Sequence, residues 1–209
     1  MPRRDPHAIT TVRELHELLG EPSERVKAKT IDHIDEHCRA IIALSPFLTI
    51  ASVDEAGRMD VSPKGDPAGF VHVLDDHTLA VPERPGNRRA DTFHNVLETG
   101  IVGMIFVVPG MDETLRVNGK GRLTVDPAIL IPMAVQGKVP KLALLVDVEE
   151  AFLHCAKAPK RARLWDPEAH IDRGVLSTLA EMVVDHAQHD GPVSEVEAII
   201  ADDYVNNVY

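Results

Sequence analysis

The residues with the clearest chemistry lie in one stretch, Val81-Pro82-Glu83-Arg84-Pro85-Gly86-Asn87-Arg88-Arg89-Ala90-Asp91-Thr92. A β-rich run enters a Pro-Gly turn, and Asn87 then stands where it caps a helix that opens with Arg88 and Arg89. The start of a helix carries free N–H groups and a positive dipole end, so cations there are unfavourable unless they share an anion. Two guanidinium groups at that point make sense as a phosphate clamp, because each binds phosphate through paired hydrogen bonds. A solvated basic turn is the plain alternative.

Three other segments carry useful donors. In Asp60-Val61-Ser62-Pro63-Lys64-Gly65-Asp66 a strand ends in a Pro-Gly loop that brings a hydroxyl and an ammonium together, although a surface turn would look the same. Glu113–Arg122 alternates like a strand with one face out of the core, and Thr114, Arg116 and Asn118 share that face. Each reaches a ligand or faces solvent. His154–Trp165 concentrates four cations and the single Trp. Lys157, Arg161 and Trp165 are candidate contacts for an anionic substrate. The alternatives are pairing of the cations with the acidic C-terminal tail and simple packing of Trp165.

A rival chemistry is metal-based. His33-Ile34-Asp35-Glu36-His37 matches the H-x-x-E-H pattern of inverted zinc peptidases, with His33 and His37 on one helix face and Glu36 as base or orienter. No matching glutamate-bearing helix follows downstream, which favours no metal site. The His186/His189 pair is weaker still. No G-x-G-x-x-G follows a strand, so a resident nicotinamide site is not indicated.

The elements that must position these groups fall into three zones. Residues 1–45 read as helices: Arg13–Leu19 stopped by Gly20, a short one after Pro22-Ser23, and a third whose Ile34, Cys38, Ile41 and Ile42 share one face. Residues 46–165 change to strand period. Phe47–Val53 turns at Asp54–Gly57 into Met59–Ser62, and Phe70–Leu74 pairs with Thr78–Val81. A helix over Arg88–Leu97 interrupts before Ile101–Val108, Thr114–Thr124 and Lys141–Val148. Short strands joined by tight turns argue for a closed antiparallel sheet. Residues 166–209 form a tail with helices near Val175–His186 and Ser194–Ala201.

Charge and composition narrow the partners. The net charge is -11, and the tail from Asp166 holds ten acidic residues against the single base Arg173, while residues 1–165 are nearly balanced. Nucleic acid and anionic membranes are therefore disfavoured, yet the balanced body can hold a local basic pocket. There is no apolar run of membrane-spanning length and no signal-peptide core, so a cytoplasmic protein is expected. Two distant cysteines, Cys38 and Cys155, are expected as free thiols, with Cys155 a small buried hydrophobe.

From about Ile34 to Trp165 the chain resembles the pyridoxamine-5′-phosphate-oxidase-like FMN-binding split-barrel proteins, in particular a bacterial branch of FMN-dependent enzymes. The resemblance rests on HCRAIIALSPFLTIAS, GRMDVSPKGDPAGFVHVLDDHTLAVPERPGNRRADTFHNVL, VPGMDETLRVNGKGRLTVDP and VPKLALLVDVEEAFLHCAKAPKRARLW taken together. It implies a mainly β (α+β) fold, a six-stranded antiparallel split β-barrel with N-terminal helices and a helical C-terminal tail. It further implies a homodimer with FMN sites across the interface. By that resemblance Asp60, Val61, Ser62 and Lys64 contact the flavin and its tail, with Val81 and Pro82 on the neighbouring strand. Asn87, Arg88 and Arg89 hold its phosphate, and the strand with Thr114 and Arg116 reaches the partner's flavin. Thr114 stands where pyridoxamine phosphate oxidases have Gln, and their C-terminal substrate-phosphate signature is missing, so that exact activity is not expected. The expectation is FMN-dependent oxidoreduction of a small molecule, with NAD(P)H as a transient reductant. The alternatives are non-catalytic binding of flavin, deazaflavin or haem and, remotely, a zinc hydrolase using His33, Glu36 and His37.

Overall fold

A computed structural model describes residue 5, residues 7–188 and residues 190–209; His189 of the His186/His189 pair lies outside them. Three helices come first: α1 (Val12–Leu19), α2 (Glu24–Ala28) and α3 (Glu36–Leu44). Thr11 and Glu14 close a capping box on α1, and Gly20 ends it at φ 77°. Asp35 caps α3 by accepting from the Cys38 N–H at 2.8 Å. Cys38 and Ile42, one turn apart, point into the core. Burial together with the Asp35 carboxylate pushes the Cys38 thiol up to about 12. Ile34 is also buried, but it enters from the turn before α3, where its N–H donates to the Asp76 carbonyl at 2.7 Å.

The strands are β1 (Phe47–Val53), β2 (Met59–Gly65), β3 (His72–Val73) and β4 (Thr78–Pro82), then helix α4 (Asp91–Glu98), then β5 (Ile101–Val107), β6 (Thr114–Thr124) and β7 (Ala143–His154). They form one antiparallel sheet in the order β2-β1-β5-β6-β7-β4-β3. The fold is thus the expected mixed α+β class with seven strands instead of six. The seventh is the two-residue β3, which pairs with β4 alone. No ladder joins β2 to β3 among the described residues, so the barrel is split between the two edges. The split is bridged by an ion pair: Arg84, just past β4, donates from Nε to Asp66, just past β2, at 2.5 Å, and the Asp66 side chain is wholly buried.

Alternation places every second side chain inside. Leu48, Ile50, Met104, Phe106, Leu115 and Val117 are fully buried, and each such side chain contributes roughly 1.5–3 kcal/mol. The strand expected to end at Val148 continues to His154, because Glu149 bulges out opposite Asn118 and Gly119 and the ladder resumes at Glu150. Past this strand the chain leaves the sheet, and Cys155 is exposed instead of buried.

Four helices complete the chain: α5 (Pro127–Leu130), α6 (Lys157–Ala162), α7 (Leu179–Ala187) and α8 (Val193–Asn206). The last two pack on each other. Ala180 is buried in α7, whereas α8 has no buried residue. Among the described residues no helix is long and apolar enough to cross a membrane.

Candidate functional site

A cleft of about 820 Å³ opens at the split of the barrel, within the roughly 300–1,000 Å³ of typical cofactor pockets. One wall is the inner face of β2, where Asp60, Ser62 and Lys64 alternate with outward Val61. The floor is the run from Glu83 to Phe93, and the third side brings Lys138–Lys141 and the end of the tail. Six basic and four acidic side chains line it. A positive cleft in a chain of net charge -11 is an anion site by charge alone.

The backbone adds to this. Helix α4 begins at Asp91, not at Arg88, and Ala90, its left-handed N-cap residue, supplies no side-chain hydrogen bond. Asn87 does not cap the helix. Its Oδ1 accepts from the Arg89 N–H at 3.0 Å, tightening the loop before it. Arg88 and Ala90 hold φ of 61° and 56°, left-handed values that cost a side-chain-bearing residue free energy and mark functional loops. Arg89 leans on Asp91 at 2.9 Å, and Arg88 makes no ion pair among the described residues. The first N–H groups of α4 and two guanidinium groups therefore face one cleft without a capping side chain.

The β2 wall is held in place from α4. Thr92 Oγ1 donates to Asp60 at 2.8 Å, and in the core below Asn95 donates to Ser52 at 2.9 Å. Burial lowers the Lys64 pKa, opposed by the carboxylates of Asp60 and Glu83, and its ammonium lies 5.5 Å from the Phe93 ring centre. At the far end, Asp66 accepts from both Arg84 and the Tyr209 hydroxyl, the latter at 2.7 Å. That bond raises the Tyr209 pKa above its ordinary value. Arg84 is further tied by donating to the Met133 carbonyl at 2.8 Å.

Other residues singled out from the sequence lie elsewhere. Val81 and Pro82 are buried in β4 and do not line the cleft. Val61 is 63% exposed on the outer face of the sheet. Thr114 and Arg116 lie on that same outer face, as the register Val61–Ala51–Gly103–Asn118 and Pro63–Thr49–Ile105–Arg116 requires. There Arg116 stacks 4.2 Å from the Phe152 ring centre and reaches Glu150 at 3.4 Å, with its Nε buried and unpaired. Lys157, Arg161 and Trp165 are also outside the cleft. Trp165 donates to the Met111 carbonyl at 3.0 Å, which is packing, and Arg163 pairs with Asp166 and Glu168 at the start of the acidic tail.

The H-x-x-E-H residues are not assembled. His33 precedes α3 and turns to Asp32, 3.0 Å away, and edge-on to His77, while His37 is exposed on the helix. No group of three metal-ligating side chains occurs among the described residues. Sequence reasoning in turn missed Arg84, Lys138, Lys141, Asp203, Asn207 and Tyr209 in the cleft lining, and Asp66, which holds Arg84 and Tyr209. Asp66 and Arg84 stood inside the quoted segments with nothing local to link them. Tyr209 carried no signal at all, being 143 residues from its partner.

Fold and cleft together define a split-barrel protein with a basic, cofactor-sized cleft between its open edges. The chain belongs to the pyridoxamine 5′-phosphate oxidase family, which matches residues 34–155, more than half its length. No curated protein matches it. Similar solved structures include HupZ of Group A Streptococcus, 20% identical over 57% of this chain and 93% of that one, with a TM-score of 0.48. An FMN-binding protein of Syntrophomonas wolfei is 17% identical over 56% and 83%, with a TM-score of 0.45. The General Stress Protein 26 of Bacillus anthracis is 11% identical over 55% and 88%, with a TM-score of 0.42.

Proposed function

We propose that the cleft holds FMN by its phosphate and that the protein is a homodimeric FMN-dependent oxidoreductase of a small-molecule substrate. The carrying observation is the uncapped start of α4 with Arg88 and Arg89 beside it. Membership of the family supports the choice of flavin among phosphate ligands. The residues fit the group: the two arginines and the α4 N–H groups suit a phosphate, and Ser62 and Lys64 offer a hydroxyl and a positive charge further along β2. Bound there, a flavin supplies hydride transfer, with NAD(P)H as a transient donor. The protein's part is orientation: Thr92 fixes Asp60, and Asp66 fixes Arg84, so the walls of the cleft are set before a ligand enters. Two free cysteines suit a reducing cytoplasm.

A second copy of the chain fits the outer face of the sheet. Phe47, Met59, Val61, Ile101 and Ile105 are exposed there around the half-buried Arg116. The candidate residues fall on two faces that one chain cannot bring together, and a partner docked on the outer face would complete the set. Ile105→Glu puts a carboxylate at the centre of this face, so light scattering of the purified variant should give a monomer where the wild type gives a dimer. A dimeric variant would remove this face from the interface.

The function itself is tested by adding FMN to ligand-free protein and following quenching of flavin fluorescence, then adding NAD(P)H anaerobically. Saturable uptake followed by bleaching of the flavin absorbance is expected. Failure to take up FMN would sink the reading, and uptake without bleaching by any reductant would leave a binding protein rather than an enzyme.

A further inference from the structure

The tail contributes to the cleft in an unusual way. Asp203 and Asn207, on and just past α8, line it together with Tyr209, opposite the arginine loop. Yet α8 has no buried residue, and the element it chiefly packs on is α7. Among the described residues, every hydrogen bond between residues 193–209 and the barrel runs through Tyr209. Its hydroxyl donates to Asp66 at 2.7 Å, and its carbonyl accepts from Lys138. The Arg84 guanidinium lies 5.8 Å from its ring centre, a cation–π contact. All three partners come from the barrel side of the cleft, and Asp66 and Arg84 are the residues that bridge the split. One residue thus ties the tail to the barrel side of the cleft, two of its three contacts being made by the side chain.

We propose that the segment 193–209 is a strap that closes the cleft over a bound mononucleotide, with Tyr209 as its latch. This rests on the FMN reading above. Releasing the strap exposes no fully buried residue of α8 and breaks, on the barrel side, only the hydrogen bonds at Tyr209. Asn207 brings an amide and Asp203 a carboxylate to the lining of the cleft. A ligand that touches the strap must stabilise the latched state by the same factor by which the latch strengthens its binding.

The test compares wild type, Tyr209→Phe and Tyr209→Ala in the full-length protein, with and without FMN. Amide hydrogen exchange is read over residues 193–209, and flavin release is followed by fluorescence on dilution. In the wild type FMN should slow exchange in this segment. Tyr209→Ala should abolish that protection and speed FMN release by about tenfold or more, the usual effect of losing a hydrogen bond to a charged group. Tyr209→Phe, which keeps the ring over Arg84 but not the bond to Asp66, should fall between them. Wild-type FMN binding with unchanged exchange over 193–209 and unchanged release in Tyr209→Ala would overturn the strap while sparing the flavin site. A wild-type protein that binds no FMN would overturn both.

Discussion

Arg88→Ala combined with Arg89→Ala weakens FMN binding by at least about a hundredfold, read as the dissociation constant from fluorescence quenching. A hydrogen bond to a charged group contributes roughly 1.5–3 kcal/mol. Two such losses give about 3–6 kcal/mol, and every 1.4 kcal/mol is about tenfold. The low end applies because Arg89 already shares its charge with Asp91 and both side chains are open to solvent. The fold should be untouched. Neither side chain packs in the core, and Arg88→Ala leaves the left-handed φ of 61° no worse, since both residues carry a Cβ. Arg88→Gly separates the two effects: it removes the charge and also relieves a backbone strain of roughly 1–2 kcal/mol, so the variant should melt higher while binding FMN more weakly. Equal affinity in the double variant and the wild type would move the phosphate away from this loop.

Gly119→Ala should be the most damaging single methyl in the barrel. A Cβ there would sit 2.1 Å from the Asp147 carbonyl oxygen, and that oxygen belongs to backbone that cannot swing aside. The site is the bulge of the β6–β7 ladder, the longest in the sheet. Overpacking of this kind costs about 3 kcal/mol or more, which lowers Tm by roughly 6–12 °C in a chain of this size. Gly86→Ala is the control: its Cβ meets nothing within 4 Å and its φ is not left-handed, so the change should stay within about 0.5 kcal/mol. A Gly119→Ala protein that melts with the wild type would mean the two strands pair in another register.

The strands and turns were readable because their signals are local. Thr114–Thr124 alternates Leu115 and Val117 inward with Thr114 and Arg116 outward, and its ends are those expected. Gly57 supplies the positive φ of the β1–β2 turn. The start of α4 misled for an equally local reason. Asn87 is a good cap by type, but its side chain closes the loop onto Arg89, and the chain spends two left-handed residues before the helix begins. In β7, Glu149-Glu150 looks like the end of a strand until the bulge at Glu149 turns Glu150 toward Arg116 and Asn118.

What the amino-acid sequence determined by itself was most of the strands and helices, an antiparallel sheet and the basic loop that lines the cleft. Each depends on residue type, hydrophobic period or turn chemistry within a few neighbours. Only the tertiary structure decided that Asp66 and Arg84 meet across the open edges, that Tyr209 closes on them from the far end of the chain, and that Arg116 faces away from Lys64. Those relations follow from how a twisted sheet curls and which edges it leaves unpaired, and no local pattern encodes contacts between residues 18 or 143 positions apart.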